Sequence, residues 1–132
     1  MMVVDTSALL AILEEEADAA AYAEAIAEAD PPLISAASVV ELGIVMLNRH
    51  GPRGLRRANG LIQAAGFRVE RVTEQHVQQA LEAYAAYGKG QRRKAGLNYG
   101  DCFSYALAKV TGLPLLFKGG DSSETDLPSA LL

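Results

Sequence analysis

Met2-Val3-Val4-Asp5-Thr6-Ser7-Ala8-Leu9-Leu10 is a short apolar run that stops on an acid and passes at once into helix-forming sequence. A uniformly apolar run of this kind reads as a central strand covered on both faces. In open α/β sheets ligands sit in the crevice beyond the carboxyl ends of the strands, so an acid placed there points into a binding site. Three more acids, Glu41, Asp101 and Asp121, stand at similar junctions. We expect the four to meet around a divalent metal.

Outward from that stretch, Ser7 to Leu13 reads as a short helix, and a second, Ala-rich one opens at Glu14-Glu15-Glu16-Ala17-Asp18 and runs to about Ala29. Asp30-Pro31-Pro32 ends it, because proline lacks an N–H and pushes the preceding residue out of the α region. Leu33-Ile34-Ser35 is a buried strand. Ala36 to Leu47 is a helix apolar on nearly every side, a pattern expected of a buried helix. Gly51-Pro52 marks a break, Arg53 to Ala65 has helical spacing, and Gly66 is the expected terminator. Phe67 to Val72 alternates apolar and polar residues as an edge strand does. Thr73 caps a helix ending near Tyr87. Gly88 to Gly96 is a basic, glycine-rich loop expected to be exposed. Leu97 to Asp101 leads into a helix from Cys102 to Val110, closed by Gly112, and Pro114 to Lys118 is a fourth strand. The tail is expected to add a helical turn and a last edge strand through Leu127, Leu131 and Leu132. Strands alternating with helices predict a parallel four- or five-stranded sheet with helices on both faces, a three-layer α/β sandwich.

A chain of 132 residues, 50% of them hydrophobic, suits one domain over residues 1–132. The single Cys102 forms no intramolecular disulfide and has no Cys or His partners at zinc-site spacing, which suggests a reducing compartment. No apolar run is long enough to span a bilayer and no basic segment precedes Met1-Met2-Val3-Val4, so a soluble, cytoplasmic protein is expected. The net charge of −4 is unevenly spread: residues 1–48 carry −9, residues 49–94 carry +7 and the remainder −2. A polyanion responds to local potential, so the basic middle keeps a nucleic-acid partner open. Arg49, Arg53, Arg56 and Arg57 read more readily as a solvated helix face than as part of such a contact.

Taken singly, most of the acids have ordinary explanations. Asp5 and Asp101 could cap the helices beside them, and Asp121 lies in a Gly-Gly-Asp turn where aspartate is common. Glu41 is harder to dismiss, since a glutamate inside an apolar helix needs a partner, a metal or a raised pKa. No Lys or Arg lies within residues 1–48, so a counter-ion would come from later, with Lys118 and Lys109 as candidates. The alternative is a carboxylate cluster neutralised by Mg²⁺ or Mn²⁺, hard cations that prefer oxygen ligands.

Four segments, Met2-Val-Val-Asp-Thr-Ser-Ala-Leu, Ser38-Val-Val-Glu41-Leu, Leu97-Asn-Tyr-Gly-Asp-Cys-Phe-Ser-Tyr-Ala-Leu-Ala and Leu115-Leu-Phe-Lys-Gly-Gly-Asp121 with Thr125-Asp126, resemble the successive motifs of PIN-domain ribonucleases. They are most similar to the VapC-type toxins of bacterial toxin–antitoxin pairs. The resemblance covers almost the whole chain in order, and Leu-Asn-Tyr-Gly-Asp-Cys is its most specific piece. It implies a PIN-like fold in which Asp5, Glu41, Asp101 and Asp121 hold Mg²⁺ or Mn²⁺, with Ser7 beside them as a hydroxyl and Asp126 as an outer acid; Asn98, read from the residues alone, caps the helix or fixes the Asp101 loop. One departure is that Ser122 and Ser123 follow Asp121 where the family usually has an aromatic residue, which puts the packing of that loop in question.

The implied activity is hydrolysis of RNA, structured RNA such as tRNA included, by a metal-activated water. The implied partners are a VapB-type antitoxin and a second copy of the chain. The antitoxin would be expected on the Val39 to Leu47 segment and the Leu55 to Ile62 face. Lys89, Arg92, Arg93 and Lys94 are candidate phosphate contacts, although a solubilising loop has the same composition. Tyr87 and Tyr99 could stack on bases but suit packing as well. His50 and His76 are expected at the surface, and Cys102 as a buried filler. Haloacid-dehalogenase-like and receiver domains are disfavoured, because Ser7 stands where the former has a second aspartate and the acid pair of the latter is absent. A non-catalytic binding module that keeps the acids remains the other rival.

Overall fold

The computed structural model describes residues 1–88 and 96–119. Its elements are β1 (Met2–Val4), α1 (Thr6–Leu13), α2 (Ala19–Glu28), β2 (Pro32–Ser35), α3 (Ala36–Ala64), β3 (Arg68–Glu70), α4 (Glu74–Tyr87), α5 (Tyr99–Thr111) and β4 (Leu115–Leu116). The strands form one parallel sheet in the order β3-β2-β1-β4. As its apolar sequence requires, β1 is central, with Val3 opposite Leu33 on one side and Leu115 on the other. The alternating strand β3 lies at the edge, and both its Arg68 and Val69 are exposed.

Successive side chains of a strand point to opposite faces, and β1 feeds two cores. Met2 and Val4 pack with Ala8, Leu9, Tyr22, Ile26, Leu42 and Met46 of α1, α2 and α3. Val3 packs with Leu33, Leu115 and, from α5, Leu107 and Ala108. Helix α4 lies outside α5, with Ala83 buried against Cys102 and Tyr105. These are the three layers the residue pattern predicts.

Helix α3 is broken at Gly51-Pro52 as expected: Gly51, with φ of 68°, is non-helical, a conformation that only glycine adopts without strain, and Pro52 opens the second limb. Two elements differ from expectation, α3 being the first. Its first limb is not buried all round: Val40, Ile44 and Leu47, four and then three residues apart, form an exposed stripe, while Ser38, Leu42 and Met46 face the core. An outer-layer helix has one face to give the sheet, and the apolar residues left over face outward. Helix α5 starts at Tyr99 rather than Cys102, because Asn98 supplies its N-cap.

Candidate active site

Every acid in the described site is placed by a helix start or by the helix after a strand. Asp5 follows β1 and caps α1, its Oδ2 accepting the Ser7 N–H at 3.0 Å. Its Oδ1 accepts from the Ser104 hydroxyl at 2.6 Å, and the residue is buried. Glu41 lies on α3, six residues after Ser35 caps that helix, and its Oε1 accepts from the Thr6 hydroxyl at 2.7 Å. Asp101 is the third residue of α5 and closes a reciprocal capping box with Asn98. Its Oδ2 accepts the Asn98 N–H at 3.0 Å, while its own N–H donates to the Asn98 side chain at 2.9 Å.

Asp5, Ser7, Glu41, Asn98, Asp101 and Lys118 line one cleft of about 220 Å³, with Thr6 and the apolar Leu10, Val45 and Phe117. Its floor is the carboxyl end of β1. The Ser7 hydroxyl accepts the Lys118 N–H at 2.9 Å, which ties the start of α1 to the chain leaving β4. Glu41 reaches the cleft across Gly100, where a Cβ would overlap its carboxylate.

Among the described residues, Lys118 is the one cation in the lining of the cleft. Burial pushes the Glu41 carboxyl above the ordinary glutamate value, the bond from Thr6 pulls it down, and the charge of Asp5 pushes it up again. The first turn of α5 lies beside it, where a helix dipole favours an anion. Lys118 is not the counter-ion. Its ammonium is bound to Glu16 and, at 3.0 Å, to Asp18. Lys109 lies in the last turn of α5, about 14 Å along the helix axis from Gly100. Among the described residues, no Lys or Arg forms an ion pair with Asp5 or Glu41.

The donors facing the cleft are carboxylate, hydroxyl and amide oxygens, with no imidazole or thiol among its described lining. That set suits a hard divalent cation and disfavours zinc or copper. Among the described residues no three acid, His or Cys side chains stand close enough to form a ready-made ligand cage. Mg²⁺ asks for less, since it keeps several waters and binds through one or two carboxylates.

Asp5, Glu41, Asp101, Ser7 and Asn98 are thus brought together. Asp121, Asp126, Lys89, Arg92, Arg93 and Lys94 lie outside the described residues, as do Ser122, Ser123 and the tail leucines. Tyr87 packs against Tyr105 with ring centroids 6.0 Å apart, whereas Tyr99 is 80% exposed and stands edge-on to Phe103. His50 is at the surface with Glu14, 2.6 Å away. His76 is not, being buried in the first turn of α4. Cys102 is a buried filler whose thiol is pushed up to about 11, chiefly by burial.

Three residues with no role assigned from sequence join the site. Thr6 donates to Glu41, Ser104 donates to Asp5, and the Ser38 hydroxyl lies 3.3 Å from that of Ser104. A visible sign was their spacing: Ser38 stands three residues before Glu41 and Ser104 three after Asp101, on the same helix faces as the acids.

Residues 2–127 match the PIN domain family model. Ribonuclease VapC28 of Mycobacterium tuberculosis is 51% identical over 130 residues, covering 98% of each chain. This chain belongs to the PIN domain family, among its VapC ribonucleases. The crystal structure of Mycobacterium tuberculosis VapC20, described as a sarcin-ricin loop cleaving toxin, shares the PIN fold at a TM-score of 0.76 and 22% identity, over 96% of both chains. A toxin–antitoxin complex from Klebsiella pneumoniae holds a similar chain, with a TM-score of 0.68 and 16% identity over 94% of this chain and 89% of that one.

Proposed function

We propose that this chain is a Mg²⁺- or Mn²⁺-dependent endoribonuclease, the toxin of a VapBC-type pair, with one PIN domain over residues 1–132. The observation that carries the reading is the cleft in which Asp5, Glu41 and Asp101 converge while Lys118, the lysine in its described lining, is bound to Glu16 and Asp18. Carboxylates that share a site repel one another, and either one of them stays protonated or a cation joins them. Membership among the VapC ribonucleases supports the second outcome.

Asp5, Glu41 and Asp101 would hold the cation, directly or through its waters, with Asp121 completing the site or orienting water and Asp126 as an outer acid. The chemistry that Mg²⁺ or Mn²⁺ would supply there is activation of a water and charge stabilisation of the leaving oxygen. The backbone N–H groups of Ser7 and Asn98 keep the Asp5 and Asp101 carboxylates in place. The water oxygen would bond to phosphorus as the P–O3′ bond breaks, one water proton being given up and O3′ taking one up, so the products carry a 5′-phosphate and a 3′-hydroxyl. Lys89, Arg92, Arg93 and Lys94 track the phosphates leading into the cleft.

The substrate class is structured RNA such as tRNA, and the setting is the cytoplasm. The partners are a second copy of the chain and a VapB-type antitoxin. The exposed stripe of Val40, Ile44 and Leu47 beside the cleft is a surface such an antitoxin could cover. Among the described residues no helix is long and apolar enough to cross a membrane.

Incubating the purified protein with total RNA, with Mg²⁺ and with EDTA, tests the reading. Cleavage that needs the metal and leaves 5′-phosphate ends is expected. Intact RNA under both conditions, without Mg²⁺-linked thermal stabilisation, would identify a binding module instead.

A further inference from the structure

Both oxygens of Asp5 have partners, and the donor to Oδ1 comes from a residue that no cap or strand requires. Ser104 lies on α5 one turn beyond Asp101, is fully buried, and is followed by the buried run Tyr105, Ala106, Leu107 and Ala108. Alanine would fit that setting, and burying a hydroxyl is unfavourable unless it is hydrogen-bonded. The bond that compensates runs to Asp5 at 2.6 Å.

Ser38 lies on α3 one turn before Glu41, is buried too, and stands 3.3 Å from Ser104 between the two hydroxyl oxygens. A serine has one proton to give, and an ionised carboxylate only accepts. The Ser104 proton is therefore committed to Asp5, and Ser38 must donate to Ser104. The chain of bonds has a fixed direction, Ser38 to Ser104 to Asp5. Each of the three elements that carry an acid of the cleft contributes one member.

We propose that Ser104, oriented by Ser38, is a positioning residue that fixes the plane of the Asp5 carboxylate so that its remaining lone pairs face the cleft. The proposal rests on the cation-dependent reading of that cleft. Groups that hold a ligand from behind commonly set affinity as strongly as some direct ligands, and their removal weakens binding by roughly 10- to 100-fold.

Calorimetric titration of Mn²⁺ into the full chain tests it, with unfolding midpoints recorded in EDTA. Ser104→Ala should bind Mn²⁺ about 10-fold more weakly or worse, with a lowered midpoint in EDTA that still shows a folded protein at the temperature of the titration. Ser38→Ala should shift affinity the same way by less, because Ser104 keeps its bond to Asp5. A Ser104→Ala protein that binds Mn²⁺ as tightly as the wild type overturns the proposal, all the more if only its midpoint has fallen. If Ser104→Ala does not fold, Ser38→Ala decides, and unchanged affinity there overturns it. A wild type that binds no Mn²⁺ removes the cation-dependent reading and this proposal with it. Binding by the wild type that is equally tight in both variants removes this proposal alone.

Discussion

The Glu41 carboxylate of α3 rests against the bare Cα of Gly100 in α5, with no room between them for a methyl group. Gly100 needs no unusual backbone angle and sits in the first turn of a regular helix. The absence of a side chain there is what lets an acid from one helix reach the start of another. Gly100→Ala should therefore keep or slightly raise helix stability, by up to about 1 kcal/mol, while moving Glu41 out of the cleft. RNA cleavage is expected to fall about 10-fold or more, with an unchanged circular dichroism spectrum. Wild-type turnover in this variant would show that Glu41 does not need its place.

Glu41 also gives the apo protein a pH dependence with a definite sign. Its carboxyl is raised above the ordinary value of 4.5, chiefly by burial, so the fold favours the protonated form. That contribution is fully present below 4.5 and is lost as pH rises through the folded-state value. Glu41→Gln is neutral at every pH and can still accept from Thr6. In EDTA its thermal midpoint should lie close to the wild type at acid pH and above it at neutral pH. Mg²⁺ should narrow the neutral gap by raising the wild type alone. An equal gap at both ends of the pH range would contradict this.

Lys118 borders the cleft yet spends its charge on Glu16 and Asp18. Lys118→Gln should leave Mn²⁺ affinity near the wild-type value, and the midpoint should change little, since exposed ion pairs contribute little. A large gain in Mn²⁺ affinity in this variant would show instead that the lysine had been neutralising the acids.

Changing Lys89, Arg92, Arg93 and Lys94 together to Gln should weaken RNA binding. It should also flatten the plot of log affinity against log salt by roughly 0.7 for each phosphate that is no longer neutralised. Filter binding with the Asp5→Asn protein, which separates binding from cleavage, measures both. An identical slope would exclude the segment from RNA recognition.

The sheet was legible because its signals are local. An apolar run ending on Asp5, the alternation in Phe67 to Val72, and punctuation by Asp30-Pro31-Pro32 and Gly51-Pro52 each act over a few residues. The meeting of Asp5, Glu41 and Asp101 followed from where strands end and helices begin, together with the motif resemblance. What sequence did not reveal depends on which face a helix turns inward. Helix α3 reads as apolar all round, but one layer of contact leaves Val40, Ile44 and Leu47 outside. His76 reads as a surface residue because nothing near it in sequence says that α4 packs its first turn inward. Thr6, Ser38 and Ser104 look like small filler until the fold joins them to the acids and to one another, across separations of 35, 66 and 99 residues.

Side-by-side cleavage of one RNA by the wild type, Asp5→Asn and Asp101→Asn, with Mg²⁺ and with EDTA, measures whether these acids act together through a cation. The wild type should cut only with Mg²⁺. Both variants, with unfolding midpoints in EDTA showing that they fold, should not rise above the metal-free background. Cleavage by the wild type in EDTA, or full activity in either folded variant, would contradict the shared cation site.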